Sequence, residues 1–342
     1  MTTHERELTE PVDLCTADGI RLNPAARGWS RRPLHRANLA GEHGRNKRWD
    51  YWAVLAGDLV VSAVYADVDL LGLADVWWAD VTTGATGGAG AIVDAGDVTL
   101  PERPGTAPLL LDYDDLDVAF VDDENGTRLT ARWRERDGRA GELDVIVALP
   151  AGHESLNVVI PWDETTFNFT SKHQARPATG ALTVGEQRWD IGGAAGDAWG
   201  VLDVGRGRWP STIRWNWGGG AGRAGDHVVG LQFGAKWTEG SGFTENGFLL
   251  DGRLTKIGGE LDWDYDWDDP MRPWRITDPD GQLDVVLHPR HDKHSKAGGE
   301  TGYGSETHQV FGTFTGTVRT DDGVTVTFDG LQGFAEEARQ RW

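Results

Sequence analysis

Asn-Gly and Asp-Gly dipeptides punctuate the whole chain, at Asp18-Gly19, Asn125-Gly126, Asp137-Gly138, Asn246-Gly247, Asp251-Gly252, Asp280-Gly281 and Asp322-Gly323. Such pairs supply the positive φ that tight β-hairpins require. Between them lie short runs that alternate apolar and polar residues with period 2. Residues 116–121, 127–134 and 142–148 read as three strands of a meander, divided by two of these turns. Further strands are expected at 188–191, 199–204, 228–237, 248–257, 259–267, 283–288, 309–319 and 324–328. Helical periodicity is almost absent, and only residues 334–341 have the composition of a helix, expected to be short and to close the chain. The fold class that follows is all-β. A chain of 342 residues exceeds what one small barrel uses, so two antiparallel β-barrels or curved sheets, tightly packed together, are expected. The seam is placed near residue 165, giving units 1–165 and 166–342, because the meander ends at Leu149-Pro150 and a fresh strand series starts after Gly180.

Charge restricts the partners. With 33 Lys+Arg against 54 Asp+Glu the net charge is −21, and the one basic run, 45–48, is short. Such a surface repels phosphate backbones and anionic headgroups, so no nucleic-acid partner is expected. Apolar runs such as Val54-Leu55-Ala56 fall far short of the ~20 residues of a membrane span. The first residues, Met1-Thr2-Thr3-His4, carry no apolar secretion segment, and the single cysteine is Cys15. A cytoplasmic, disulfide-free protein is expected.

Several motifs fail their physical tests. Residues 220–225 match the dinucleotide glycine pattern, but a strand rather than a helix follows, so a Gly-rich hairpin loop is expected there. Asp262, Asp264, Asp266 and Asp268 alternate with aromatic residues and lack the glycine and terminal acid of a calcium loop. His288, His291 and His294 are interrupted by Pro289 and two cations, which suits a polar exposed loop better than zinc. Neither a metal nor a cofactor is expected.

Tryptophan is the informative anomaly, with 17 residues, ten of them from Trp189 onward. Indoles fill wide barrel interiors, and they also wall pockets for flat, apolar or sugar-like ligands. Polar residues interspersed among them favour a pocket. Trp199, Val201 and Asp203 share one face of a strand, which places Asp203 at a barrel mouth beside aromatic walls. Arg206 follows closely, then Trp209, Arg214, Trp215, Asn216 and Trp217. Glu245, Asn246, His308 and Gln309 are the other candidate polar groups.

These stretches, with Gly28-Trp29-Ser30-Arg31, Arg48-Trp49-Asp50-Tyr51-Trp52, Thr170-Ser171-Lys172 and the ending from Gly333-Phe334-Ala335-Glu336 to Arg341-Trp342, resemble the bacterial family called domain of unknown function 2804. Val204 departs from the aromatic residue expected at its position. The resemblance covers the chain from about residue 10 to its last residue, and it implies no assigned activity. More remotely the chain is similar to the carotenoid 1,2-hydratase, tocopherol cyclase and AttH group. That likeness implies two lipocalin-like barrels, an apolar ligand and cofactor-free acid catalysis. The group's Gly-x-x-x-Asp-x-x-Trp-Gly signature is echoed out of spacing in residues 192–200.

The expected function is a pocket for an apolar or amphipathic small molecule, with hydratase or cyclase chemistry if the protein is an enzyme. Asp203 or Glu245 would donate a proton and His308 would accept it or orient the ligand. Lys172 and Arg206 would hold an anionic end of the ligand, and Trp209, Trp215, Trp217, Asn246 and Gln309 would line the site. Glu336 and Arg341 would bridge a terminal helix to the second unit. Two other readings stand beside this one. Asp203 and Glu245 would form a glycosidase pair if they flank an open groove, or the tryptophans would be core residues of a protein without a ligand. The residues carry no reading of oligomeric state.

Overall fold

Alternation in the sequence becomes alternation in burial. In the strands Gly126–Arg134 and Ala140–Ala148, Leu129, Ala131 and Trp133 point inward with Leu143, Val145 and Val147, while Arg128, Arg132, Glu142 and Asp144 face water. One face buried and one solvated is the signature of an antiparallel sheet around a core. The turn between them is closed by Gly138 at φ +89°, a conformation that other residues adopt only with strain. The computed structural model describes residues 3–41, 44–299 and 303–341, so Met1, Thr2 and Trp342 of the chain ends lie outside the described residues.

Among the described residues, thirteen strands form one sheet and nine form another. The first runs in the order Ala85–Asp94, Leu71–Asp80, Leu59–Asp67, Asn46–Ala56, Trp199–Arg208, Phe167–Val184, Ala140–Ala148, Gly126–Arg134, Leu116–Asp123 and Leu109–Tyr113, with three short strands beside this path. It rolls around a single apolar core, in which Val93 and Val98 at one edge join Leu109 and Leu111 at the other. The second sheet runs Arg253–Ile257, Asn246–Leu250, His227–Ala235, Thr212–Ala224, Thr325–Arg341, Gly304–Arg319, Leu283–Gly298, Trp274–Thr277 and Asp262–Asp264. Its core likewise unites both edges, from Ile257 to Trp274 and Ile276. The protein is all-β, two lipocalin-like curved sheets packed together.

Three local expectations are corrected. Residues 334–341 are not helical but end the strand Thr325–Arg341, paired on one side with Thr212–Ala224 and on the other with Gly304–Arg319. Tertiary pairing on both edges overrides the helix-forming composition of this segment. Second, the change of sheet falls between Arg208 and Thr212, not near residue 165. Residue 165 lies in the turn of a hairpin in which Asp163 accepts from the backbone N–H groups of Thr165 and Thr166. Phe167–Val184 and Trp199–Arg208 stay with the first sheet because the latter pairs along its full length with Asn46–Ala56. Third, the run 220–225 lies mostly inside the strand Thr212–Ala224, where a Cβ on Gly220 would meet the Gln332 carbonyl oxygen at 2.6 Å. Those glycines admit a close neighbouring strand, and only the end of the run belongs to a turn.

The two sheets meet through their outer faces. Trp52, Val54, Leu202 and Val204 point into the first core, so their alternates Tyr51, Ala53, Val201 and Asp203 face the second sheet. There Ala53, Leu55, Val60 and Val201 pack on Trp217, Phe311 and Phe334. Trp77 of the first sheet stacks on Phe311 of the second, with centroids 5.6 Å apart and planes 20° from parallel.

Candidate functional site

Strand register builds the site as two facing rows. In the first sheet Lys172 lies opposite Asp203, and Asp203 opposite Tyr51. In the second, Trp217 lies opposite Glu336, Glu336 opposite Gln309, and Gln309 opposite Lys293. All seven side chains border one cavity of about 360 Å³, so the rows look at each other across it. The rows touch where Tyr51 Oη donates to Gln309 Oε1 at 3.3 Å and where the Lys172 ammonium sits 4.6 Å from the Trp217 ring centre. The cavity therefore lies between the sheets rather than inside either barrel.

Tryptophans wall one end and hold its acids. Trp209 stacks parallel to Trp237 at 6.0 Å, and Trp49 and Trp215 meet Trp209 edge-on at 5.4 and 5.9 Å. Three of these indoles each donate to a carboxylate: Trp49 to Asp203 at 3.1 Å, Trp237 to Glu245 at 2.7 Å and Trp215 to Glu336 at 2.7 Å. An indole presents an apolar face and one N–H donor, so the same residues can line an apolar wall and aim an acid. Glycine makes the room. A Cβ on Gly234 would lie 2.0 Å from Glu245 Oε1, and one on Gly205 would lie 2.0 Å from the Trp49 ring.

The charges are arranged unequally. Lys172 Nζ bridges Asp203 Oδ1 at 2.7 Å and Glu245 Oε2 at 3.2 Å. Burial works against this ammonium, but the two carboxylates more than offset it and raise its pKa. Burial pushes the Glu245 carboxyl up to about 7, with Lys172 opposing and Asp203 adding to the rise. Glu336 is likewise pushed up to about 7 by burial, with the Trp215 N–H and Lys172 opposing. Of the two Glu336 oxygens, only Oε1 has a hydrogen-bond partner among the described residues.

Of the candidates taken from the sequence, Asp203, Glu245, Lys172, Trp209, Trp215, Trp217 and Gln309 line this cavity. Arg206, Asn246 and His308 do not. Arg206 is fully buried, bonds Asp50 at 2.6 Å and caps the Trp49 and Gly205 carbonyls, so no ligand anion reaches it. Asn246 is equally enclosed, accepting from the Gly234 N–H and donating to the Gly259 carbonyl. His308 projects from the opposite face to Thr307 and Gln309, as alternation demands. Its Nδ1 bonds Asp292 at 2.7 Å and its ring stacks on His294 at 4.2 Å. The expected loop at 288–294 is part of the long strand Leu283–Gly298. His294, Glu306 and His308 bring one donor atom each within 4.8 Å of one another and are the side chains here that could take a cation, although Lys296 already bonds Glu306 at 3.1 Å.

Glu336, Lys293, Trp49, Tyr51 and Trp237 also line it. Glu336 was hidden by the helical reading of its segment, in which a salt bridge to the second unit was the leading account of it. Lys293 was hidden by the loop reading of its own. Period-2 alternation against His294 is the signal that would have turned Lys293 toward the cavity.

No curated protein matches the chain in sequence. Among solved structures it is similar to kievitone hydratase from Nectria haematococca, with 12% identity over 99% of this chain and 98% of that one and a TM-score of 0.49. CghA shows 12% identity over 97% of each chain and a TM-score of 0.47. A putative AttH from Nitrosomonas europaea shows 15% identity over 87% of this chain and 94% of that one, with a TM-score of 0.47. At the level of sequence a family profile matches residues 5–342 and so takes in both sheets and every residue around the cavity. The chain belongs to the family described as Domain of unknown function (DUF2804).

Proposed function

We propose that the protein binds an apolar or amphipathic small molecule in the cavity between its sheets and acts on it as an acid/base lyase of the hydratase or cyclase type. The observation that carries this reading is that Glu245 and Glu336 border one tryptophan-walled cavity, each with a pKa of about 7. At neutral pH either group can give or take a proton, and acid/base catalysis is most effective when the pKa lies near the working pH. Glu336 has one carboxyl oxygen without a hydrogen-bond partner among the described residues and is the proton donor. In the hydration direction its proton goes to one carbon of a double bond. Water adds to the cationic carbon that results, and Glu245 takes the proton that this water releases. Tryptophan faces stabilise the intervening cation. Asp203 and Lys172 hold Glu245 in place. A glycosidase pair needs a glycosidic bond between its two carboxyls, whereas the Lys172 ammonium occupies the space between Asp203 and Glu245.

Solvent extraction of the purified protein followed by mass spectrometry tests the binding half of the reading, and the recovered compound supplies the substrate class to assay. Glu336→Gln is expected to keep binding and lower turnover by about 100-fold or more. A protein that carries no ligand and takes up no apolar probe, or a Glu336→Gln variant with unchanged turnover, would overturn it.

A further inference from the structure

Lys293 stands at the far end of the second row, two strands beyond Glu336 and therefore roughly 10 Å from it along the sheet. Its ammonium donates to Ser62 Oγ at 3.1 Å and lies 4.5 Å from the Trp77 ring centre. Among the described residues no carboxylate comes within ion-pair distance of it. Asp75 and Glu336 act on it only from further away. The contrast with Lys172, clasped between two carboxylates in the same cavity, is the point of departure. Burial of Lys293 disfavours its charge and lowers its pKa. A cation held in a confined site without a counterion is costly unless something else supplies one.

The surroundings suit an anion. Ser295, Thr307 and Tyr303 also border this end of the cavity. None of their three side-chain hydroxyls has a hydrogen bond to another described residue, so all three are available as donors. The three cavity acids Asp203, Glu245 and Glu336 lie toward the other end or the middle of the rows. Between Lys293 and the tryptophans the first sheet offers Val64, Ala66 and Leu73 as an apolar wall, with Asp75 opposite Val64 on the same face but outside the lining.

We propose that the ligand carries an acidic group, a carboxylate or a comparably acidic enol or phenol, which Lys293 receives with the three hydroxyls. This deepens the function proposed above and rests on it: the apolar body lies along the wall and its reacting carbons reach Glu336 from the Lys293 end. The site thus selects an amphipathic organic acid over a neutral hydrocarbon of the same shape. Lys293 takes the anion-holding role that Arg206 and Lys172, already paired, do not fill.

Two fluorescent probes with one N-phenylnaphthylamine frame provide the test: 8-anilino-1-naphthalenesulfonate, an anion, and N-phenyl-1-naphthylamine, which is neutral. The wild-type chain is expected to bind one equivalent of the anion more tightly than the neutral probe. Lys293→Met should weaken the anion about 10-fold or more and leave the neutral probe unchanged, and Lys293→Arg should restore the preference. Equal loss of both probes in Lys293→Met, or no loss of either, would overturn the acidic-group inference and leave the cavity reading standing. Binding of neither probe to the wild type would overturn both. Thermal unfolding of each variant shows that the comparison is between folded proteins.

Discussion

Tyr51 and Gln309 belong to different sheets, and the hydrogen bond from the Tyr51 hydroxyl to Gln309 Oε1 at 3.3 Å crosses the cavity between them. Burial and the nearby Glu336 charge push the Tyr51 pKa up, so the phenol remains a donor at any physiological pH. The bond ties one row of the site to the other. A double-mutant cycle with Tyr51→Phe and Gln309→Leu in urea unfolding is expected to give a coupling of about 0.5–1 kcal/mol. Additive losses would mean that the rows are held by apolar packing alone.

Glu336 and Glu245 make stability depend on pH with a definite sign. Each has a folded pKa of about 7 against the ordinary glutamate value of 4.5, so the folded state holds extra protons between those values. Their contribution is fully present below about pH 4.5 and is lost as pH rises through about 7. Glu337 behaves oppositely: burial would raise its pKa, but Lys236, Tyr265, Arg214 and Arg339 hold it at about 2. Its contribution is lost only as pH falls through that value. Glu336→Gln should therefore stabilise the protein at pH 8 by on the order of 3 kcal/mol, with most of the gain gone by pH 5. Paired thermal melts at the two pH values check this, and an equal gain at both would show that ionisation is not the cause.

Gly234→Ala is expected to disturb the site directly, because the new Cβ would lie 2.0 Å from Glu245 Oε1. The carboxyl must move off the Trp237 N–H, at a cost of about 1–3 kcal/mol in stability. Gly96→Ala, where a Cβ meets nothing within 4 Å, is the matched control and should be near neutral. Similar losses for both would show that backbone freedom rather than the Glu245 contact matters.

Arg206 has a structural role to be separated from ligand binding. Removing it leaves Asp50 buried without its partner, since the two bond at 2.6 Å with Arg206 wholly inaccessible. Arg206→Met should cost about 3–5 kcal/mol, and adding Asp50→Leu should recover much of that. Probe affinity of the folded fraction should not change. A selective loss of anionic probe affinity in Arg206→Met would return it to the binding site.

Much of this architecture was legible from local chemistry. The turn dipeptides and alternating runs located the meander Leu116–Asp123, Gly126–Arg134 and Ala140–Ala148 within a few residues. Tryptophan density beside acids pointed to Asp203, Glu245, Trp209, Trp215 and Trp217, all of which border the cavity. The misses share one cause. Glu336 and Lys293 lie in segments whose composition suggests helix and loop, and only pairing with strands brought from elsewhere in the chain makes them extended.

Alternation is a property of neighbouring residues, set by backbone sterics within each strand, so the chain alone establishes that Asp203 shares a face with Val201 and that His308 and Gln309 face opposite ways. Which of those faces becomes core, solvent or cavity is not a local property. It depends on Asn46–Ala56 docking beside Trp199–Arg208 and on the outer faces of two rolled sheets meeting, contacts between residues far apart in sequence. The burial that raises Glu245 and Glu336 toward neutrality arises only when those faces close over them.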